Sequence, residues 1–355
     1  MKKMKLVLAD GQEFCGIGYG AQTAVVGEIV FNTSMVGYQE IISDPAYSGQ
    51  ILVMTYPLMG QYGITDDDFE SKSAGIAGFV TGDYCDTPSN FRFTKTLSEH
   101  LEERGIPCLS GVDTRMITEI IREKGCMKAA IVEESVSRED AVKMMGETPD
   151  MKRPAAAVSC TKRWFSRTPH HSFDVVVIDC GLKHSIIGEL NRRGCNVTVV
   201  PFNSSAEDVL AFNPDGVLVA GGPGDPSELV EMVDVLRSLK GRLPLYGINL
   251  GHCLIALAYG AECFKLKFGH HGGHPVRESS TGRIISSEHS HNYAVVPSSL
   301  DGSGLEVTYL DVTDGTVEGL QCTKDRTSTL QFCPEGAPGP KETHFFDDFI
   351  KAMED

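Results

Sequence analysis

The chain has 355 residues, of which 41% are hydrophobic and 23% are charged, as is typical of a soluble globular protein. Its 48 acidic and 32 basic residues give a net charge of −16, which argues against a nucleic-acid or anionic-membrane surface because both require basic patches. No apolar run approaches the roughly 20 residues of a membrane span, and no secretory signal is recognisable. The eleven scattered cysteines form no C-x-x-C pair, which favours reduced thiols and a cytoplasmic location.

The first half of the chain has the pattern of a mixed domain in which short strands precede helices. Apolar alternation and helical spacing predict elements at 5–8, 28–32, 50–55, 93–104 and 115–123. From about residue 147 to residue 171 the composition shifts to proline, alanine and basic residues. We therefore predict a first domain of mixed β and helical structure over 1–150 and a linker over 151–171.

The second half of the chain alternates strands with helices. Residues 173–179 form a nearly continuous apolar run, which is typical of a strand buried on both faces. Further strands and helices are predicted at 185–193, 196–200, 216–220, 228–240, 244–248 and 250–259. This alternation indicates βαβ units around a parallel sheet. The predicted fold class is α/β, with a doubly wound domain over 172–355.

Ligands of open α/β sheets bind at the carboxyl ends of the strands, and three such ends carry unusual sequences. After the strand at 216–220 comes GGPGDP at 221–226, whose backbone N–H groups could hold an oxyanion, although Gly-Pro-Gly is also an ordinary turn. After the strand at 244–248 comes a junction with the pattern of a nucleophile elbow, Gly247 to Gly251. Its centre is Asn249, whose amide is not a nucleophile but which tolerates unusual backbone angles.

The third strand end is at residues 330–335, where Cys333-Pro334-Glu335 follows a short apolar segment. A side chain at Cys333 and the carboxylate of Glu335, two residues apart, occupy positions suited to a base and the group that orients it.

These three motifs, in this order and spacing, resemble class I glutamine amidotransferases, and the whole chain resembles the small subunit of carbamoyl-phosphate synthase. The likeness covers nearly the entire sequence, including an N-terminal domain that other amidotransferases lack. It rests on the segments 26–40, 44–48, 52–60, 112–115, 222–226, 267–275 and 334–340. The resemblance implies an N-terminal mixed β/α domain followed by a doubly wound class I amidotransferase domain.

In that family an elbow Cys attacks the glutamine side-chain amide, and a His-Pro-Glu sequence supplies the base and its partner. The matching positions here are Asn249, Cys333 and Glu335, so that only the glutamate is retained. The resemblance also implies a glutamine pocket at Ala46, Gly222, Gly224, Leu250, Cys253, Ser290, Asn292 and Tyr293. Several of these positions are changed, with alanine for serine at 46, cysteine for glutamine at 253 and asparagine for glycine at 292. We therefore expect that glutamine hydrolysis has been lost.

Two alternatives remain open from the sequence. A relocated thiol, Cys253 or Cys333 with the nearby His252, could still hydrolyse glutamine, although buried cysteines are more often inert packing residues. A stand-alone protein could instead have adapted the pocket to another ligand. The histidines at 270, 271, 274, 289 and 291 suggest a metal, but they lack carboxylate or thiolate neighbours at zinc-site spacing. We therefore predict no metal.

The resemblance implies one partner, the large subunit of carbamoyl-phosphate synthase. In the family that subunit holds the ATP and bicarbonate sites and receives ammonia through a tunnel, so no cofactor is expected in this chain. The expected role is that of a docking or regulatory subunit of an ammonia-using synthase, in pyrimidine or arginine biosynthesis. No nucleic-acid or membrane partner is expected.

Overall fold

The computed structural model describes residues 2–72 and 75–354. It divides into two compact units, the first comprising residues up to Met151 with Lys267–Gly269, the second comprising Lys152–Leu266 with residues from His270 onward. Within the described ranges, no helix is both long and apolar enough to cross a membrane.

The first unit is built on a closed β-barrel. The strands of this unit are β1 (Lys2–Leu8), β2 (Glu13–Gly20), β3 (Val25–Asn32), β4 (Gln50–Met54), β5 (Leu58–Met59), β6 (Gly78–Val80), β7 (Asp83–Tyr84), β8 (Pro107–Ser110) and β9 (Met127–Glu133). Strands β5 and β7 pair with each other in a separate two-stranded sheet. Its helices are α1 (Tyr38–Ile42), α2 (Leu97–Glu103), α3 (Thr114–Lys124) and α4 (Arg138–Glu147). The barrel order is β1-β2-β8-β6-β4-β3-β9. The mixed β and helical content is as predicted, but the sequence did not indicate closure of the sheet.

Helix α3 shows how local sequence and packing agree in this unit. The Asp113 side chain caps its start by accepting from the N–H of Met116 at 2.9 Å, and Gly125 ends it at φ 95°. Ile117 and Ile121, one turn apart, are fully buried and belong to the same apolar cluster as the barrel residue Ile51. The helix is thus anchored by the apolar face that its spacing predicted.

The second unit contains a single ten-stranded sheet. Its strands are β10 (Trp164–Ser166), β11 (Phe173–Asp179), β12 (Cys195–Pro201), β13 (Gly216–Val219), β14 (Leu245–Ile248), β15 (Cys263–Glu278), β16 (Ile284–Val295), β17 (Glu306–Asp311), β18 (Val317–Cys322) and β19 (Thr327–Leu330). Its helices are α5 (Ala155–Val158), α6 (His184–Arg192), α7 (Ala206–Leu210), α8 (Val230–Leu239), α9 (Leu250–Ala258) and α10 (His344–Glu354). The order is β10-β12-β11-β13-β14-β19-β18-β16-β15-β17.

The centre of this sheet confirms the predicted parallel arrangement. Strands β12, β11, β13, β14 and β19 pair in parallel, with Val177 of β11 lying between Val199 of β12 and Leu218 of β13. Apolar side chains cover both faces in two buried clusters, which explains the nearly continuous apolar runs. Antiparallel strands extend the sheet at both edges.

One part of the second unit differs from the expectation of a linker over 151–171. Helix α5 and strand β10 both lie within that stretch, and Trp164 pairs with Val199 of β12. The Trp164 side chain is only partly buried and packs against the apolar cluster beneath the sheet. The stretch therefore supplies an edge strand in addition to connecting the two halves of the sequence.

Helix α9 approaches the sheet unusually closely because glycine occurs at both contact positions. A Cβ at Gly251 would lie 2.3 Å from the carbonyl oxygen of Val219, and one at Gly247 would lie 2.7 Å from the carbonyl oxygen of Gly251. Both distances are too short for any side chain, so the backbone of the strand–turn–helix junction can adopt this packing only with glycine.

This contact predicts a specific destabilisation. Gly251→Ala should lower the free energy of unfolding of the second unit by about 2–4 kcal/mol, because its methyl group must displace backbone rather than a flexible side chain. Gly188→Ala, within α6, is the matched control: its Cβ would lie 3.7 Å from the nearest atom, an Arg192 nitrogen, so little change or a slight gain is expected. Urea unfolding followed by the fluorescence of Trp164, the single tryptophan, measures both. Equal stability of the two variants would contradict the packing argument.

Candidate active site

Asn249 occupies the strand-to-helix turn between β14 and α9, as predicted. Its backbone angles are φ 54° and ψ −114°, a strained region for a residue with a side chain. The N–H of Asn249 donates to the carbonyl of Leu330 at 2.8 Å, and its own carbonyl accepts from the N–H of His252 at 3.0 Å. The turn is therefore held by the neighbouring strand β19 on one side and by the first turn of α9 on the other.

The glycine-rich loop after β13 lies directly against this turn. A Cβ at Gly221 would be 3.1 Å from the Cβ of Asn249, so the loop backbone faces the Asn249 side chain. Gly222 is packed just as tightly, because a Cβ there would meet the carbonyl oxygen of Cys180 at 1.9 Å. Gly224 has φ 103° and lies against the ring of Pro154. The loop is therefore fixed in place beside position 249.

A chain of polar contacts joins Asn249 to Cys333, the two positions predicted to match the family nucleophile and base. The Asn249 amide donates from Nδ2 to the Oγ and the carbonyl oxygen of Ser290, both at 3.1 Å. Ser290 Oγ in turn lies 3.8 Å from Cys333 Sγ. All three residues are at most 6% exposed. The structure thus brings Asn249, Ser290 and Cys333 together as an amide–hydroxyl–thiol series, in which no group is an imidazole.

Glu335, predicted to match the family glutamate, has a cationic partner that was not predicted from the sequence. Lys183 Nζ lies 2.8 Å from Glu335 Oε1 and also donates to the carbonyl of Ala337 at 2.8 Å. Both charged side chains are buried. The only sequence signal for this pair was a lysine following the carboxyl end of β11, at the edge of the sheet where functional groups of this fold class gather.

Cys253 and His252 do not contact each other as a thiol–imidazole pair. Cys253 Sγ donates to Gln331 Oε1 at 3.1 Å, and a hydrogen bond with Cys263 together with burial raises the pKa of the Cys253 thiol well above its usual range. His252 Nδ1 lies 2.9 Å from Thr329 Oγ1, and burial lowers the pKa of His252 to about 3. Near neutral pH Cys253 is therefore a protonated thiol and His252 a neutral imidazole.

The other predicted pocket positions lie on different elements of the two units. Leu250 lies, largely buried, at the start of α9. Asn292 Oδ1 is 3.0 Å from His271 Nε2, and the carbonyl of Tyr293 contacts His291 Nδ1 at 2.9 Å. Ala46 belongs to the first unit, where its N–H donates to Asp44 Oδ1 at 2.8 Å in a short turn. The Asn292 side chain thus already has a partner in the protein.

The doubly wound sheet, the strained turn at Asn249 and the glycine loop define the class I glutamine amidotransferase fold, and residues 176–353 match the family model for glutamine amidotransferase class-I. Residues 6–131 match the model described as carbamoyl-phosphate synthase small chain, CPSase domain. The chain belongs to the carbamoyl-phosphate synthase small chain family.

Two named relatives agree with this assignment, and one solved structure is reported beside them only as a similarity. The carbamoyl phosphate synthase small chain of Listeria monocytogenes is 45% identical, over 99% of this chain and 97% of its own length. The pyrimidine-specific small chain of Halalkalibacterium halodurans is 46% identical, also over 99% of this chain and 97% of its own length. A solved structure from Thermoplasma acidophilum, described as a GMP synthase protein, is 22% identical with a TM-score of 0.45, covering 52% of this chain and 96% of its own.

The ion pair between Lys183 and Glu335 generates a second prediction. Lys183→Met should cost about 3–5 kcal/mol of unfolding free energy, because it leaves a buried carboxylate without its cation. The double variant Lys183→Met/Glu335→Gln should recover most of this loss, since no charge is then buried. Lys351→Met, at an exposed lysine of α10, is the control and should change stability by no more than about 0.5 kcal/mol. Urea unfolding followed by Trp164 fluorescence measures the stability of each variant. A double variant no more stable than Lys183→Met would contradict the proposed ion pair.

Proposed function

We propose that this carbamoyl phosphate synthase small subunit has lost glutamine hydrolysis and acts as a docking and regulatory partner of a large subunit that uses free ammonia. The observation that carries the proposal is Asn249 at the strained turn, with its amide bound to Ser290 and a thiol, Cys333, beyond it. A primary amide cannot form the covalent intermediate that a thiolate forms. A thiol at position 333 also cannot replace an imidazole that exchanges protons near neutral pH.

The expected loss of glutamine turnover can be estimated from the contribution of triad residues to catalysis in other enzymes. In a well-studied serine protease, removing the nucleophile alone lowers turnover by about 10⁶, and removing the base costs about as much, non-additively. Both positions are substituted here, and Glu335 is paired with Lys183. The preserved glycine loop can stabilise an oxyanion only if one forms, and the amide of Asn249 forms none.

Glutamine binding is weakened as well under this proposal. The family contacts from a serine and a glutamine fall at Ala46 and Cys253, and the Cys253 thiol is occupied with Gln331. Asn292 adds a side chain where the family has glycine. Each unmatched polar group of a buried substrate costs about 1–3 kcal/mol. A raised Km is therefore expected together with the loss of turnover.

The partner proposal rests on the first unit and on the names of the relatives. The relatives are called small chains, which implies a large chain for them, and we extend this to the present protein. We assign docking to the domain over 1–150, joined through 151–171 to the amidotransferase-like domain over 172–355. ATP and bicarbonate are assigned to the large subunit. The pyrimidine-specific relative favours the pyrimidine pathway over the arginine pathway.

The test of lost hydrolysis uses the full chain in complex with its large subunit. Glutamate release from glutamine should stay at background, while ammonia should support carbamoyl phosphate formation. Asn249→Cys alone should remain inactive, because it supplies a thiol without a base. Asn249→Cys/Cys333→His should exceed either single variant, because the nucleophile and the base are both replaced. A commercial glutaminase calibrates the assay.

The relocated-thiol alternative predicts the opposite outcome. Robust glutamate release by the wild type, abolished by Cys253→Ala or Cys333→Ala, would overturn the proposal in its favour. Cys15→Ala, at an exposed cysteine of the first unit, is the matched control for loss of a thiol.

Docking to the large subunit is tested separately. Co-expression of the two subunits should yield a complex that survives size-exclusion chromatography at micromolar concentration. Separate elution would exclude the docking role and would favour a stand-alone protein with an adapted pocket.

A further inference from the structure

Four side chains of types that can bind metals, those of His270, His289, His291 and Glu318, lie close together on three neighbouring strands of the second unit. In the register of β15 and β16, His270 lies opposite His291, and His289 is two residues from His291 along the same strand. Glu318 extends from β18, on the other side of β16 in the sheet order. Alternate residues of a strand share a face, so His289 and His291 point to the same side. All four side chains are buried, and Glu318 and His289 are fully so.

The distances between the converging atoms fit a single ion. His270 Nδ1 is 3.2 Å from Glu318 Oε1, and His289 Nδ1 is 3.2 Å from His291 Nε2. Glu318 Oε1 is 3.5 Å from His291 Nε2, and Glu318 Oε2 is 3.5 Å from His289 Nδ1. Tetrahedral zinc with bonds of about 2.0–2.1 Å has ligand atoms about 3.3 Å apart. All four candidate ligand atoms lie within 4.8 Å of one another.

Each histidine of the group has its other ring nitrogen bound by a second residue. His270 Nε2 lies 2.9 Å from Asp314 Oδ2, His289 Nε2 lies 2.8 Å from Ser287 Oγ, and His291 Nδ1 lies 2.9 Å from the carbonyl of Tyr293. A histidine that binds a metal typically donates its second N–H to a carboxylate, carbonyl or similar group, which fixes its tautomer. This outer set of contacts is complete here.

The same contacts indicate that a positive charge is needed between the three histidines and Glu318. A carbonyl and a carboxylate only accept, so His291 and His270, whenever their rings are neutral, carry their hydrogens on Nδ1 and Nε2 respectively. In that state the lone pair of His270 Nδ1 faces Glu318 Oε1, and the lone pair of His291 Nε2 lies between Glu318 Oε1 and His289 Nδ1. Glu318 Oε2 forms no hydrogen bond with the described residues. Lone pairs and a buried anion at these separations repel unless a cation lies among them.

We propose that His270, His289, His291 and Glu318 bind one divalent transition-metal ion, with Zn²⁺ as the first candidate. Three imidazoles and a carboxylate are a borderline donor set that suits zinc or cobalt better than magnesium or calcium. With four protein ligands and no exposed position, the site is structural and ties β15, β16 and β18 together. It departs from the expectation of no metal, which was based on spacing along the sequence and could not anticipate the carboxylate of Glu318.

The test measures metal in the full-length protein produced without a histidine tag. After dialysis against metal-free buffer, mass spectrometry of the dissolved metal should find about one zinc ion per chain. Replacement by Co²⁺ should give the intense visible absorption of a four-coordinate ion, without the near-ultraviolet charge-transfer bands that cysteine ligands produce. Chelation should lower the thermal midpoint of the wild type.

Two histidine variants assign the ligands. His289→Gln should abolish the cobalt spectrum and the effect of the chelator on the midpoint. His274→Gln should preserve both, because His274 contacts Asp311 at 3.2 Å and lies outside the four-residue group. Loss of binding in His274→Gln with retention in His289→Gln would overturn the assignment in favour of the neighbouring group of His270, His274 and Asp311. Circular dichroism checks folding, and Glu318→Gln replaces His289→Gln if the latter misfolds.

A proton is the competing cation for this position. Although burial opposes it, hydrogen bonds with Asp314 and Glu318 raise the pKa of His270 to about 10, so a protonated His270 could supply the missing charge. Wild-type protein that holds less than about 0.1 metal ion per chain and gives no cobalt spectrum would overturn the metal proposal in favour of this hydrogen-bonded network.

Discussion

The backbone contact between helix α9 and the parallel sheet determines the geometry of the candidate site. Because Gly251 lies against the carbonyl of Val219, the chain must turn sharply between β14 and α9, and Asn249 takes up the strain at φ 54°. That turn presents residue 249 to the loop after β13 and to Ser290 of β16. The shape of the site therefore depends on glycines in the backbone and does not require a particular side chain at the turn.

This independence explains how the turn of the amidotransferase fold can form with asparagine at its centre. Asn249 tolerates the strained angles, and its Nδ2 donates to two buried acceptors of Ser290, so the turn contains no unsatisfied amide donor. Lys183 forms an ion pair with Glu335, so the charge of this buried carboxylate is balanced without an imidazole. The Asn249 amide is thus hydrogen-bonded, whereas the buried Glu335 carboxylate has an ion-pair partner in Lys183 but no hydrogen bond within the described residues.

The sequence was sufficient for the class of fold, the central strands and the turn at Asn249, because continuous apolar runs and glycine spacing are local signals. It did not indicate the closed barrel, since pairing β2 with β8 joins segments about 90 residues apart. Lys183 and Glu318 were missed for the same reason: each approaches its partners through sheet topology alone. Edge strand β10 was assigned to a linker because its proline-rich surroundings resemble a loop.

Because strand β16 is pleated, its alternate side chains lie on opposite faces of the sheet and in different surroundings. Ser290 and Asn292 point toward one side of the sheet, toward Asn249 and His271, whereas His289 and His291 point to the other. A replacement on one side therefore does not alter the side chains of the other, although the residues adjoin in sequence. The two faces can therefore carry different contacts, although successive residues of the strand are less than about 4 Å apart along the backbone.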